Sequence, residues 1–307
     1  GVRARTLRTR WTSMMSMPME IITDDAKLTS AGFHWREKDG ALALACTPLE
    51  QAGFSNGFST RLGGVSPMQR DALNLAGFNE DAAENIHENR RRFLKLFEGQ
   101  WVLTSCWQIH SADVRVVRSL DEARPPENAR GETVYGDALI TAVPRLLLGV
   151  KTADCVPVLL GDARTGASAA IHAGWRGTLA GIVGRALNLM GEEYGTRPQD
   201  VRAAIGPSAG ACCYEVGGEV IEAFTGRFDG ASALFTPTRP GHARVDLQRA
   251  NREQLMNAGV EPERIHTAPL CTICRTDLFF SYRREKSLHG RVGRLMSVIG
   301  RRPGVAR

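Results

Sequence analysis

Two imidazoles and a thiol stand out for their chemistry. His110, Cys155 and His172 each lie at or just past the end of a strand-like run. The segments are Gln108-Ile-His110-Ser-Ala-Asp113, Lys151-Thr-Ala-Asp-Cys155 and Ala170-Ile-His172-Ala-Gly-Trp-Arg-Gly177. An N₂S set suits a catalytic Zn²⁺, which takes three protein ligands and keeps a position for water. Imidazole and thiolate also suit copper. The gaps of 45 and 17 residues match no local zinc motif, so three unrelated strand-end side chains remain an open reading.

Further groups could serve such a site. Gly174-Trp-Arg-Gly-Thr178 precedes a helical pattern. Helix N-termini attract anions through free N–H groups, and Arg176 could add a fork of donors. The same stretch also reads as a glycine-rich turn with Thr178 as N-cap. Arg61, Lys151 and Arg283 are cations beside glycines or strand ends, open to a phosphate role or to plain solvation. Asp137 and Asp154 could act as acid/base groups or orient a histidine ligand. Cys212-Cys213 and Cys271-x-x-Cys274 could form a Cys₄ zinc site, but adjacent cysteines make a poor half-site, and buried thiols are the favoured reading.

The elements that must hold these residues are legible in outline. Strands are expected at 42–46, 54–60, 101–109, 114–117, 138–141, 168–172, 201–205, 265–270 and 295–299. The run 146–160 is too long for one strand and should bend at Thr152-Ala153-Asp154. Helices are expected at 81–97, from Thr178 through Met190, at 218–224 and at 247–258. Residues 119–133, with Pro125-Pro126, read as a surface loop. Strands outnumber crossover helices, which predicts α+β.

Composition narrows the function class. Hydrophobic residues make up 43% and charged residues 23% of 307 residues, which excludes a fibrous or largely disordered chain. The net charge is +6, but 1–16 hold four arginines and 301–307 hold three; setting those aside turns +6 into −1 for the body. No basic stripe points to nucleic acid. No apolar stretch approaches the length of about 18 residues needed for a membrane helix. Seven scattered cysteines suggest free thiols in the cytoplasm. Residues 1–25 are expected to be a disordered or mis-called extension, 26–302 a single catalytic domain and 303–307 a tail.

The motifs in order carry a resemblance. They are Phe58-Ser-Thr-Arg-Leu-Gly-Gly-Val-Ser66, Gln108-Ile-His-Ser111, Gly136-Asp-Ala-Leu-Ile-Thr141, Lys151-Thr-Ala-Asp-Cys155 and Ala170-Ile-His-Ala-Gly-Trp-Arg-Gly177. Ile205-Gly-Pro207, Cys212-Cys-Tyr-Glu-Val-Gly217, Phe279-Phe-Ser-Tyr-Arg-Arg284 and Gly290-Arg291 follow. Over about residues 40–300 the chain resembles the multicopper polyphenol oxidase (laccase-domain) family. It departs from that pattern at Asn79-Glu80-Asp81 and in its N-terminal extension.

The resemblance implies a single-domain mixed β-sandwich flanked by helices. It implies His110, Cys155 and His172 as metal ligands, for Zn²⁺ with copper as a substitute. The implied activity is purine nucleoside phosphorolysis on adenosine, inosine, guanosine and methylthioadenosine, with adenosine deamination beside it. Purine nucleosides and phosphate are then the partners, and a homodimer is compatible. A role in editing peptidoglycan precursors is attributed to some bacterial members. A four-copper oxidase is excluded by counting, since it needs about ten histidine ligands, many in His-x-His pairs. The chain has seven histidines and no such pair. The alternative from another class is a cysteine hydrolase acting on a muropeptide amide, with Cys155 as nucleophile and His110 or His172 as base.

Overall fold

A hairpin opens the sandwich. In the computed structural model, which describes residues 25–68, 72–77, 80–123 and 134–304, α1 (Asp25–Ser30) leads into β1 (Phe33–Lys38) and β2 (Ala41–Cys46). Asp39 and Gly40 turn the hairpin with φ of 53° and 82°, the left-handed pair a tight right-twisted turn requires. Then come α2 (Thr47–Gln51), β3 (Phe54–Ser59), α3 (Ala83–Leu94), β4 (Val102–Ser105), β5 (Val114–Val116), β6 (Ala138–Thr141), β7 (Leu146–Thr152), β8 (Val156–Asp162) and β9 (Ser168–Ala173). The second half holds α4 (Trp175–Leu179), α5 (Ile182–Tyr194), β10 (Val201–Ile205), β11 (Glu215–Gly217), α6 (Gly218–Thr225), β12 (Phe235–Pro237), β13 (His242–Val245), α7 (Leu247–Asn257), β14 (Ile265–Thr267), α8 (Tyr282–His289) and β15 (Leu295–Arg301).

Two six-stranded mixed sheets result, in the orders β1-β2-β3-β15-β7-β4 and β14-β10-β8-β9-β6-β5. Each is antiparallel in its middle; the first has a parallel pair at one edge, β4–β7, and the second at both, β10–β14 and β5–β6. Period-two alternation sorts the side chains. On β8, Val156, Val158 and Leu160 pack under α5, α6 and α7, while Leu159 faces the other sheet. Leu44, Phe58, Leu148 and Val150 of the first sheet meet Leu139, Leu159 and Ala204 of the second. Leu147, Met296 and Val298 pack outward beneath Phe93 of α3. The expected α+β sandwich flanked by helices is therefore the observed one.

Several local expectations change. The long run does bend after Thr152, and its halves belong to different sheets. The helix expected from Thr178 is two helices, broken at Gly181 with φ 76°. Thr178 is not an N-cap: it is buried inside α4, where Gln254 donates to its carbonyl and Asn251 to its hydroxyl. β1, α8 and a third sheet, β11-β13-β12, were not anticipated. The expected extension lies outside the described residues except for Asp25, as do 124–133 of the expected loop and Asn79. The tail is described through Gly304. Among the described residues no helix is long and apolar enough to cross a membrane.

Candidate metal centre and adjoining cleft

Twice the chain passes from the first sheet to the second, once between β4 and β5 and once between β7 and β8. The two crossovers are zipped together by one side chain. Gln108 donates from Nε2 to the Lys151 carbonyl at 2.6 Å and accepts from the Lys151 N–H at 2.7 Å, completing backbone bonds that no strand reaches. His110 sits just beyond on the first crossover, with φ 60°. Cys155 sits on the second, after Asp154 with φ 85°. His172 projects from the end of β9. The three ligand atoms all lie within 4.8 Å of one another, and the two imidazoles meet edge to face at 5.0 Å.

Asp137 organises this cluster from behind. Its fully buried carboxylate accepts the backbone N–H groups of Ile109, His110 and Ser111 at 3.2, 3.0 and 2.7 Å, and the Ser111 hydroxyl at 2.8 Å. It also meets His172 Nδ1 at 2.8 Å, so Nε2 is the nitrogen left toward Cys155 and His110. Burial alone would raise the Asp137 carboxyl, but the bonds from His172 and Ser111 prevail and hold it at about 2. Burial would likewise push the Cys155 thiol up; the neighbouring His172 and His110 bring it down to about 6. Burial would lower His172, yet Cys155 and Asp137 raise it to about 9. A thiolate and an oriented imidazole are the donors a divalent zinc-like ion uses, so the residues fit one.

Gly174, the N-cap of α4, closes the cluster on one side. A Cβ there would stand 3.1 Å from Cys155 Sγ and 3.2 Å from His110 Cδ2, so any side chain would crowd two of the three donors. Beyond it Trp175 and Tyr214 line an open cleft of about 260 Å³ with Arg239, His242 and Arg283. Arg176 is exposed and stacks on the Trp175 ring at 4.2 Å; Arg283 lies over Tyr214 at 5.0 Å and donates to the Glu215 carbonyl at 2.7 Å. A larger cleft, about 450 Å³, runs elsewhere between α7 and β14; neither cleft is lined by the three donors, and the smaller adjoins them through Trp175, next to Gly174.

Other residues singled out from the sequence have different occupations. Arg61 is buried; its Nη1 donates to Glu285 at 2.7 Å and to the Thr276 carbonyl at 2.9 Å, and its guanidinium covers Phe280 at 4.6 Å. That commits Arg61 to an internal ion pair, not to a phosphate pocket. Lys151 pairs with Met296 across β7 and β15, so it points to the outer face of the first sheet, away from the donors. Burial, with Arg90 nearby, lowers its pKa. Asp154 accepts from Thr272 Oγ1 at 2.7 Å, Ser281 Oγ at 3.0 Å and the Arg283 N–H at 2.6 Å. It therefore fastens the start of α8 beside the cluster. Sequence reasoning gave no role to Gln108, Ser111, Trp175 or Tyr214; the adjacency of each to a motif residue was the available signal.

A helix-flanked mixed sandwich with an N₂S cluster at its crossovers defines the class. The family model described as multi-copper polyphenol oxidoreductase laccase matches residues 55–302, and the chain belongs to that family. It is 35% identical over 263 residues to a Geobacillus stearothermophilus protein named purine nucleoside phosphorylase YlmD, covering 84% of this chain and 94% of that one. It is 34% identical over 243 residues to purine nucleoside phosphorylase YfiH of Escherichia coli, covering 78% and 91%. The crystal structure of YlmD from Geobacillus stearothermophilus superposes with a TM-score of 0.80 at 34% identity, over 88% of this chain and 99% of that one. That of Bacillus licheniformis YfiH gives 0.78 at 30%, over 87% and 98%. These names do not favour the cysteine-hydrolase alternative.

Proposed function

We propose that the protein is a cytoplasmic, metal-dependent purine nucleoside phosphorylase that also deaminates adenosine. The observation that carries this reading is the convergence of His110, Cys155 and His172 beside a cleft of aromatic rings and cations. The relatives' names support the substrate class. His110, Cys155 and His172 would hold a divalent ion, which would supply Lewis acidity for activating a water and for offsetting charge on a departing base. Zinc fits this donor set, with copper as a substitute.

The chain's own residues bind and orient. Trp175 and Tyr214 line the cleft where a purine would lie, and Arg176 and Arg283, stacked over those rings, offer guanidinium forks to phosphate. Phosphate attacks C1′ of the ribose as the glycosidic C–N bond breaks, and the purine leaves with the bonding pair and takes up a proton. Asp137 does not supply that proton. It is fully buried and ionised, and it keeps His172 in one tautomer and one orientation.

Product analysis tests the proposal. Inosine with phosphate should give hypoxanthine and ribose-1-phosphate at a rate that saturates with phosphate. Adenosine without phosphate should give inosine. Free ribose formed regardless of phosphate would make the enzyme a nucleoside hydrolase and sink the phosphorylase reading.

A further inference from the structure

Four other thiols converge away from the N₂S cluster. Cys212, Cys213, Cys271 and Cys274 hold sulfurs that all lie within 4.8 Å of one another. Cys274 Sγ is 3.5 Å from Cys212 Sγ and 3.3 Å from Cys213 Sγ. Cys212 and Cys274 are exposed, so the sequence expectation of buried thiols is corrected. Adjacent cysteines converge here because the chain turns tightly: the N–H groups of Cys213 and Tyr214 both donate to the Gly210 carbonyl at 2.9 Å. On a strand, neighbours would point to opposite faces.

We propose that these four cysteines form a second metal site, a structural zinc-class tetrathiolate. Zinc–sulfur bonds of about 2.3 Å place the sulfurs of a tetrahedral site about 3.8 Å apart, close to the spacing here. Cys274 is near both members of the adjacent pair, an arrangement of four around a centre rather than of two separate couples.

A second observation is independent of the sulfur spacing. Cys271 Sγ accepts the Gly210 N–H at 3.2 Å, a bond from the opposite segment that fixes where this sulfur lies. Space is reserved as well. A Cβ on Gly210 would stand 3.2 Å from Cys271 Cβ and 3.3 Å from Cys212 Sγ. Closing the site joins two segments that serve the catalytic cleft. Tyr214, next to Cys213, lines it, and Thr272, next to Cys271, donates to Asp154, the neighbour of Cys155.

The test is metal stoichiometry on the whole chain, purified with zinc under reducing conditions. Wild type should carry two equivalents. Cys155→Ser should lose one, and Cys271→Ser/Cys274→Ser should lose the other while keeping the first. Cobalt substitution of Cys155→Ser supplies a readout free of activity and of the double variant's folding: the thiolate-to-cobalt charge-transfer band should have the intensity of four thiolates. A Cys155→Ser protein with no metal, or a cobalt spectrum with fewer than four thiolates, overturns the proposal. So does a peptide map of the zinc-supplied protein showing Cys274 in a disulfide with Cys212 or Cys213. If Cys155→Ser kept both equivalents, the N₂S reading would fail while the tetrathiolate stood.

Discussion

Gln108 and Lys151 pair as if one were a strand, with the amide side chain of Gln108 meeting both backbone groups of Lys151 at 2.6 and 2.7 Å. The bond joins the crossover that carries His110 to the one that carries Cys155. Replacing Gln108 by Ala should strand an N–H and a carbonyl and cost about 1–3 kcal/mol. Metal affinity should fall with it, because the distance between two donors is no longer fixed. Denaturant unfolding and chelator competition measure the two effects. A variant with unchanged midpoint and affinity would show that the zip is dispensable.

Asp137→Asn keeps the size but removes the charge that faces His172 Nδ1 and three backbone N–H groups. Loss of a carboxylate behind a ligating histidine typically costs ten- to a hundredfold in metal affinity, and about that is expected here. Competition with a chromophoric chelator gives the ratio. Affinity within about twofold of wild type would leave Asp137 with only a folding role.

Arg61 and Arg283 should separate stability from substrate binding. Arg61→Ala takes the partner from the buried Glu285 side chain, and breaking such a pair costs about 3–5 kcal/mol. Its melting temperature should drop while the KM for phosphate of the folded enzyme stays put. Arg283→Ala keeps the backbone N–H that serves Asp154, so its fold should hold. Its KM for phosphate should rise about ten- to a hundredfold, the loss of one charged hydrogen bond. The reverse assignment of effects would return Arg61 to the pocket.

Thiol chemistry distinguishes ligand from nucleophile. Iodoacetamide should label Cys155 slowly in the metal-loaded protein and faster after chelation. In the metal-free protein its thiolate forms as pH rises through about 6, so labelling should climb there and fall away below it. Burial pushes Cys46 and Cys106 up to about 12, so neither competes in that range. Fast labelling with metal bound would restore the cysteine-hydrolase alternative.

What the sequence made legible followed the range of the forces involved. Runs of apolar residues located β6 and β10 to the residue, and the length of 146–160 pointed to the bend at 152–154 because strands in globular proteins usually stop within about ten residues. β1 escaped notice because it is a half-exposed edge strand reading Phe-His-Trp-Arg-Glu-Lys, without clean alternation. His110, Cys155 and His172 were visible as types, and the structure brings the three together. Arg61 was misread because its local setting is a glycine-rich turn, while its partner Glu285 lies 224 residues away. The four clustered thiols were underrated for the same reason. A tight turn, not spacing along the chain, brings neighbouring cysteines to one point.

Two of the three donors ride on segments that cross between sheets, and the third ends a strand of one of them. Any breathing that parts the sheets at this end also parts the donors. An ion bound there at a hundredfold over its dissociation constant would suppress that opening by about the same factor, some 2.7 kcal/mol. The amides of Ser111 and Lys151, held by Asp137 and Gln108, would register this as slowed hydrogen exchange although neither is a donor to the ion. Occupancy of the centre is in this sense written into the solvent shielding of its hinges, where it can be read with no substrate present.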